Sequence, residues 1–141
     1  MELTETALVD DVVAGTHLET IRALGVSVAI DDFGTGYTSV GQLPNVPADI
    51  LKIDRSFVAS ADPRHRALVA LIVEAAHAFD LEVVAEGIED TATLQVLRDL
   101  GCDTAQGYLI ARPMPAEHVV PWLAQWRASR ASALLSLTPS P

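Results

Sequence analysis

Residues 29–37 run Ala29-Ile30-Asp31-Asp32-Phe33-Gly34-Thr35-Gly36-Tyr37, AIDDFGTGY, and set two adjacent carboxylates where an apolar run stops and a glycine loop begins. A turn uses one Asx side chain to hydrogen-bond its own backbone, and two neighbouring anions repel unless a positive charge sits between them. A metal ion is the simplest such charge. The run from Val26 to Ile30 is apolar and rich in β-branched residues, which predicts a strand buried on both faces that ends at Asp31 and Asp32.

Working outward, THLETIRALG at 16–25 carries a capping box at Thr16 and Glu19, apolar Leu18, Ile21 and Leu24, and a glycine stop, so it predicts a short helix. The unit recurs. Asp62 and Pro63 occupy favoured cap and first-turn positions, and Leu68, Leu71, Ile72, Ala75 and Phe79 mark the expected buried face before the strand LEVVAE at 81–86. Asp90 caps a further helix lined by Leu94, Leu97 and Leu100 and stopped by Gly101, followed by an extended CDTAQGYLI. Between the first two units, ADILKIDRSFV supplies a strand carrying Lys52 and Asp54.

Polar residues thus stand at or near the carboxyl ends of four successive strands: Asp31 and Asp32, Lys52 and Asp54, Glu86, then Gln106. Strands alternating with helices imply parallel βα units. An open doubly wound sheet places its site at one switch point, whereas a (β/α)₈ barrel brings all strand ends to one mouth, and the run of polar ends favours the barrel. A closed barrel takes about 250 residues, and this chain has 141, room for five strands at most. After Trp126 the sequence loses helical periodicity and ends in Ser and Pro, so 127–141 is expected to be a mobile tail behind a domain at 1–126.

Half the residues are apolar and 5% aromatic, suiting one domain with an aliphatic core. The net charge of −10 offers no basic patch to a nucleic acid or an anionic membrane, so a phosphate ligand would need a cation as intermediary. Cys102, the single cysteine, has no partner for a disulfide or a metal site, which suits a reducing cytoplasm. The acidic start and the lack of a long apolar run predict neither a signal peptide nor an anchor.

Five blocks in order, ELTET at 2–6, DDFGTGYTS at 31–39, LKIDRSFV at 51–58, VVAEGIED at 83–90 and AQGYLIARPMP at 105–115, resemble the EAL-domain family of bacterial cyclic di-GMP phosphodiesterases over about residues 2–125. The resemblance implies an incomplete (β/α)₈ TIM-type barrel, about the last five βα units of the domain. It also implies a bacterial signalling hydrolase that opens cyclic di-GMP to linear pGpG with two Mg²⁺ or Mn²⁺ ions. Two such ions polarise the phosphate, activate a water and neutralise the leaving oxygen, and hard cations take carboxylates rather than cysteine.

Carried over residue by residue, the resemblance makes Glu2, Asp31 and Asp32 metal ligands, Lys52 the group that positions water or phosphate, and Glu86 the catalytic carboxylate. Asp54 is the acidic partner at its strand end, and Gln106 lies near water or substrate. Arg112, Pro113 and Met114 fall near the ligand's edge. Glu89 holds the DDFG loop, and that loop, with Gly34, Gly36 and Tyr37, resembles the lobe through which such domains pair.

Each residue also has a plainer reading. Asp31 and Asp32 could simply begin a loop, Lys52 and Asp54 could be a barrel ion pair, and Glu86 and Gln106 could be ordinary polar strand ends. A dinucleotide loop is disfavoured because Ser39 stands where a third glycine belongs and the acids precede the loop. Glu5 faces solvent on this reading, and His17, His65, His77 and His118 show no ligand spacing. Trp122 and Trp126 pack as an i,i+4 pair, and Pro121 should break or bend their helix.

The chain also departs from the family pattern. No Glu-Ala-Leu tripeptide occurs, and the only asparagine, Asn45, lies after DDFG, so two expected ligands have no counterpart. Glu2 follows only Met1 and is expected to fray. A partial barrel should expose strand edges and apolar surface, which predicts a homo-oligomer or pairing with the missing half of the domain. The alternative to a phosphodiesterase is a non-catalytic module that binds cyclic di-GMP or a protein partner, and a relic that does neither is a third reading.

Overall fold

The computed structural model describes residues 1–4, 12–34, 40–60 and 62–135. Five strands, β1 (Glu2–Thr4), β2 (Ala29–Phe33), β3 (Ile50–Ile53), β4 (Glu82–Ala85) and β5 (Thr104–Ala105), form one sheet in sequential order. Every neighbouring pair is parallel. Helices α1 (Val12–Ala23), α2 (Arg55–Val58), α3 (Pro63–Ala78) and α4 (Thr91–Asp99) return the chain between strands, with a 3₁₀ turn at Val40–Asn45. Parallel neighbours taken in chain order through helical crossovers are the arrangement of a barrel segment, whereas a doubly wound sheet reverses its order at a switch point.

Register decides which residues share a face. Leu3, Ile30, Leu51 and Val83 stand level across four strands, and Ile30, Leu51 and Val83 are wholly buried. They meet Ile72, Val73 and Ala76 of α3 and Leu97 of α4 in one aliphatic core. Alternation along a strand then sends the intervening residues, Glu2, Asp31 and Lys52, to the opposite face.

Two aspartates pin the strands at the end away from those charges. Asp49, just before β3, accepts a hydrogen bond from Val28 N–H at 2.8 Å and pairs with Arg22 of α1 at 2.6 Å. Asp103, just before β5, repeats the device, accepting from Val83 N–H at 2.8 Å and lying 2.9 Å from Nε2 of His77 on α3. The Arg22 hydrogen bond holds the Asp49 carboxyl below the usual range, and the Val83 amide does so for Asp103.

Several expectations are met and several corrected. Asp62 caps α3 with Pro63 at its first turn, Asp90 caps α4, and Leu97 faces the core. α1 starts at Val12, so the box at Thr16 and Glu19 does not form; Thr16 lies inside the helix and its carbonyl accepts from Thr20 Oγ1 at 2.9 Å. β2 includes Asp31 and Asp32 instead of ending at them.

α3 is rotated from the expected face. Val69, Ile72, Val73 and Ala76 are buried, whereas Leu71 is 62% exposed and Leu68 and Phe79 are exposed too. Two apolar stripes share this helix, and the sheet takes the β-branched one. After β5 the chain turns instead of extending, because the amides of Ile110 and Ala111 bond the Gly107 carbonyl. Gly107 is required there, since a Cβ would strike the backbone of Ile88.

Residues from Arg112 onward form a separate compact unit. Its helix α5 (Ala116–Leu135) contains Pro121 without breaking and stacks Trp122 on Trp126 at 5.5 Å between centroids. It runs nine residues past Trp126, where helical periodicity was expected to end, because the Ala- and Leu-rich sequence has high helix propensity whatever its period. Residues 136–141 of the expected tail lie outside the described residues.

Candidate active site

Lys52 is the one buried charged residue among those described, at 7% exposure. Its ammonium lies 2.6 Å from Glu86 Oε1, 2.8 Å from Glu2 Oε1 and 2.9 Å from Asp31 Oδ1. Burial opposes the charge, but the surrounding carboxylates of Glu2, Glu86 and Asp31 prevail and hold its pKa well above the ordinary lysine value. Lys52 is therefore a fixed cation. The four residues come from different strands or strand ends and meet because alternation puts them on the same face.

Asp32 answers the question of the paired carboxylates. On a regular strand Asp31 and Asp32 would point to opposite faces. Here the β2–β3 register shifts between Ile30 and Phe33, and Asp32 adopts φ +56°, a left-handed conformation that aspartate tolerates better than most residues. Oxygens of Asp31, Asp32 and Glu86 consequently lie within 4.8 Å of one another. Asp31 Oδ1 is buried, touches Lys52 as a charge, and accepts no directed hydrogen bond. An all-oxygen set with an underused buried carboxylate oxygen fits a hard divalent cation.

The other expected residues divide. Glu2 reaches Lys52 from an exposed position and lies outside the three-carboxylate group. Gln106 joins Glu86, Glu89, Arg55, Gly87, Gly107 and Tyr108 around a cavity of about 180 Å³. Asp54 instead caps α2, accepting from Ser56 N–H at 2.9 Å, and the Ser56 hydrogen bonds keep its carboxyl below the usual range. Gly34 ends β2 with φ +101°. Gly36 and Tyr37 lie outside the described residues, and Arg112, Pro113 and Met114 belong to the second unit.

Arg55 and Tyr108 were not singled out from the sequence, although both stand inside quoted blocks beside Asp54 and Gln106. Gly87 was also missed: it takes φ +68°, and a Cβ there would collide with Cβ of Arg55, so the loop after β4 lies directly on α2. Cys102 is partly buried, and burial pushes its thiol up to about 11, which leaves it unreactive as a nucleophile.

Comparison with known proteins agrees with this geometry. The EAL domain model matches residues 1–113. The cyclic di-GMP phosphodiesterase NbdA of Pseudomonas aeruginosa is 41% identical over 140 residues, covering 97% of this chain and 18% of NbdA. The solved PaMucR phosphodiesterase, in complex with c-di-GMP, superposes with a TM-score of 0.77 at 44% identity over 84% of this chain and 49% of that one. Klebsiella pneumoniae BlrP1, solved as a manganese and cyclic di-GMP complex, gives a TM-score of 0.74 at 32% identity over 79% of this chain and 29% of that one. The chain thus spans less than half the length of each of these proteins, and the five parallel strands are part of a TIM-type barrel. With the match running from Met1 through the Gln106 strand end, this chain belongs to the EAL domain family.

Proposed function

We propose that this chain carries the carboxylate-rich part of a divalent-metal-dependent site that hydrolyses cyclic di-GMP to linear pGpG. The observation that supports it most is the meeting of Asp31, Asp32 and Glu86 around one corner of a sheet whose buried cation is Lys52. Asp31, Asp32 and Glu86 would hold Mg²⁺ or Mn²⁺, with Glu2 as a further ligand from β1. Such an ion, when bound, would supply Lewis-acid charge to a phosphoryl oxygen and would acidify water.

The chain's own residues supply the rest. Lys52, protonated at neutral pH, balances carboxylate charge and donates to a phosphate oxygen. Glu86, shared between Lys52 and the cavity lined by Gln106, orients the attacking water and takes its proton. Gln106 positions water or substrate, Asp54 fixes α2 beside the strand bearing Lys52, and Glu89 and Gly34 stabilise the end of β2. β1 and β5 each pair on one side among the described residues, which supports association with a second copy or with the complementary strands of the domain. No described helix is long and apolar enough to cross a membrane.

A non-catalytic cyclic di-GMP-binding or protein-interaction role is the second reading. It is favoured by the metal-ligand group found among the described residues, whose three carboxylates offer ligands to one ion where the resemblance implies two. Incubating the chain with cyclic di-GMP and Mn²⁺ or Mg²⁺, and separating products by chromatography, distinguishes the two. Metal-dependent pGpG that disappears in Asp31→Asn supports hydrolysis. Metal-independent binding without product supports the module.

A further inference from the structure

We propose that Phe57, braced by His65, is a positioning residue that holds the Asp31–Asp32 turn in its metal-binding shape. The inference rests on the reading of Asp31, Asp32 and Glu86 as the metal site, and nothing in the sequence blocks marks His65 for such a role.

Both carboxylates reach one side of the sheet only because β2 ends in left-handed backbone, at Asp32 with φ +56° and Gly34 with φ +101°. Gly34 takes this conformation freely, but at Asp32 it costs free energy that the surrounding structure must offset. Phe57 is the wall behind it: a Cβ on Gly34 would lie 3.0 Å from Phe57 Cε2 and 3.2 Å from Cζ, so the ring edge packs closely on the Gly34 backbone. Phe57 belongs to α2, which Asp54 caps directly after the strand bearing Lys52. One short segment therefore sets both the cation and the wall.

The ring itself needs support. On one side lies a hollow of about 200 Å³, lined also by Val69, Val96 and Leu97, into which the ring could swing away from Gly34. His65, on the first turns of α3, meets Phe57 with centroids 5.4 Å apart and planes at 58°. The Nδ1 of His65 is buried and has no hydrogen-bond partner. An unpaired buried nitrogen is unfavourable, so Nδ1 does nothing to hold the imidazole, and the ring contact with Phe57 is its packing on that side. An aromatic ring without that nitrogen should serve as well.

Amide hydrogen exchange by NMR on the ¹⁵N-labelled full chain tests this, with Val83 and Val84 of the central strand as the global reference. Phe57→Ala and His65→Ala should each raise exchange at Phe33 and Gly34 by about tenfold relative to Val83 and Val84, and His65→Phe should restore the unsubstituted rate. In the same samples Mn²⁺ should broaden the Asp31 and Asp32 amides of the unsubstituted and His65→Phe chains at lower concentration than those of His65→Ala. Exchange at Gly34 that stays unchanged or rises in step with Val83 overturns the proposal, as does a His65→Phe chain that behaves like His65→Ala. Absent broadening in the unsubstituted chain would refute the metal reading itself, while the exchange comparison still decides whether Phe57 and His65 hold the turn.

Discussion

Replacing Lys52 by Met should destabilise the protein strongly near neutral pH, less in acid, and less with a divalent ion present. Lys52 contacts Glu2, Asp31 and Glu86 at 2.8, 2.9 and 2.6 Å. Two carboxylates 4.8 Å apart, the outer limit of the Asp31–Asp32–Glu86 group, repel by about 3.5 kcal/mol at an effective dielectric constant of about 20. Breaking a buried ion pair costs about 3–5 kcal/mol, and the exposed Glu2 contact adds little, so the expected loss is about 3 kcal/mol. With a urea m-value of about 1–3 kcal/mol/M, the unfolding midpoint should fall by about 1–3 M at pH 7.

The sign with pH follows from the same charges. In the unsubstituted chain the raised Lys52 pKa contributes stability that is fully present below the ordinary value of 10.5 and is lost only as pH rises through the higher folded value. Its contribution is therefore constant from neutral pH to about pH 10. In Lys52→Met the penalty is carboxylate repulsion, which any protonation of a carboxylate relieves, so the deficit should be smaller at about pH 4 than at pH 7. Millimolar Mn²⁺ at pH 7 should recover part of the loss. Urea titrations at both pH values decide it: a deficit below about 0.5 kcal/mol, or one equal at the two pH values, would refute the charge argument.

Other substitutions test the packing. Ile72→Ala should cost about 2–5 kcal/mol while Leu71→Ala costs under about 1 kcal/mol, by urea titration, and equal losses would refute the orientation assigned to α3. Gly107→Ala should lose about 3 kcal/mol or more, or fail to fold, because its Cβ would strike the Ile88 backbone; an unchanged melting temperature would contradict that close approach. In acid, the depressed carboxyls of Asp49, Asp54 and Asp103 contribute stability that is present above their unfolded value of 3.8 and lost as pH falls through the lower folded values. The urea midpoint should therefore drop between about pH 4 and pH 2, less steeply in Asp49→Asn, and an identical profile in that variant would exclude the Arg22–Asp49–Val28 link as its source.

Much of the local order was legible without coordinates because it depends on neighbours in sequence. Asp62 before Pro63 and Asp90 before Thr91 cap helices with their own side chains, and of the apolar run before Asp31 only Ala29 and Ile30 join the strand, both buried, while Val26 is exposed. Chain order and the acidic strand ends likewise sufficed for a parallel barrel segment, and the five blocks for the family. The capping box at Thr16 and the face of α3 were misjudged for a shared reason. Each offered two locally acceptable solutions, and the difference lay in what the rest of the fold placed against them.

The chain by itself determined its element types, their order and the supply of carboxylates with a single lysine among them. Only the tertiary structure decided how those charges meet. Glu2, Asp31, Lys52 and Glu86 lie up to 84 residues apart, and it is the pairing of their strands in parallel that brings them together and alternation that turns them to one side. The left-handed turn at Asp32, the Phe57 ring against Gly34 and the Gly107–Ile88 contact are equally nonlocal, since each is fixed by an atom from another element that leaves no periodic trace in sequence. Local preferences act over a few bonds, whereas a site that binds charge needs groups converging from several strands, and that convergence is a property of the packed sheet.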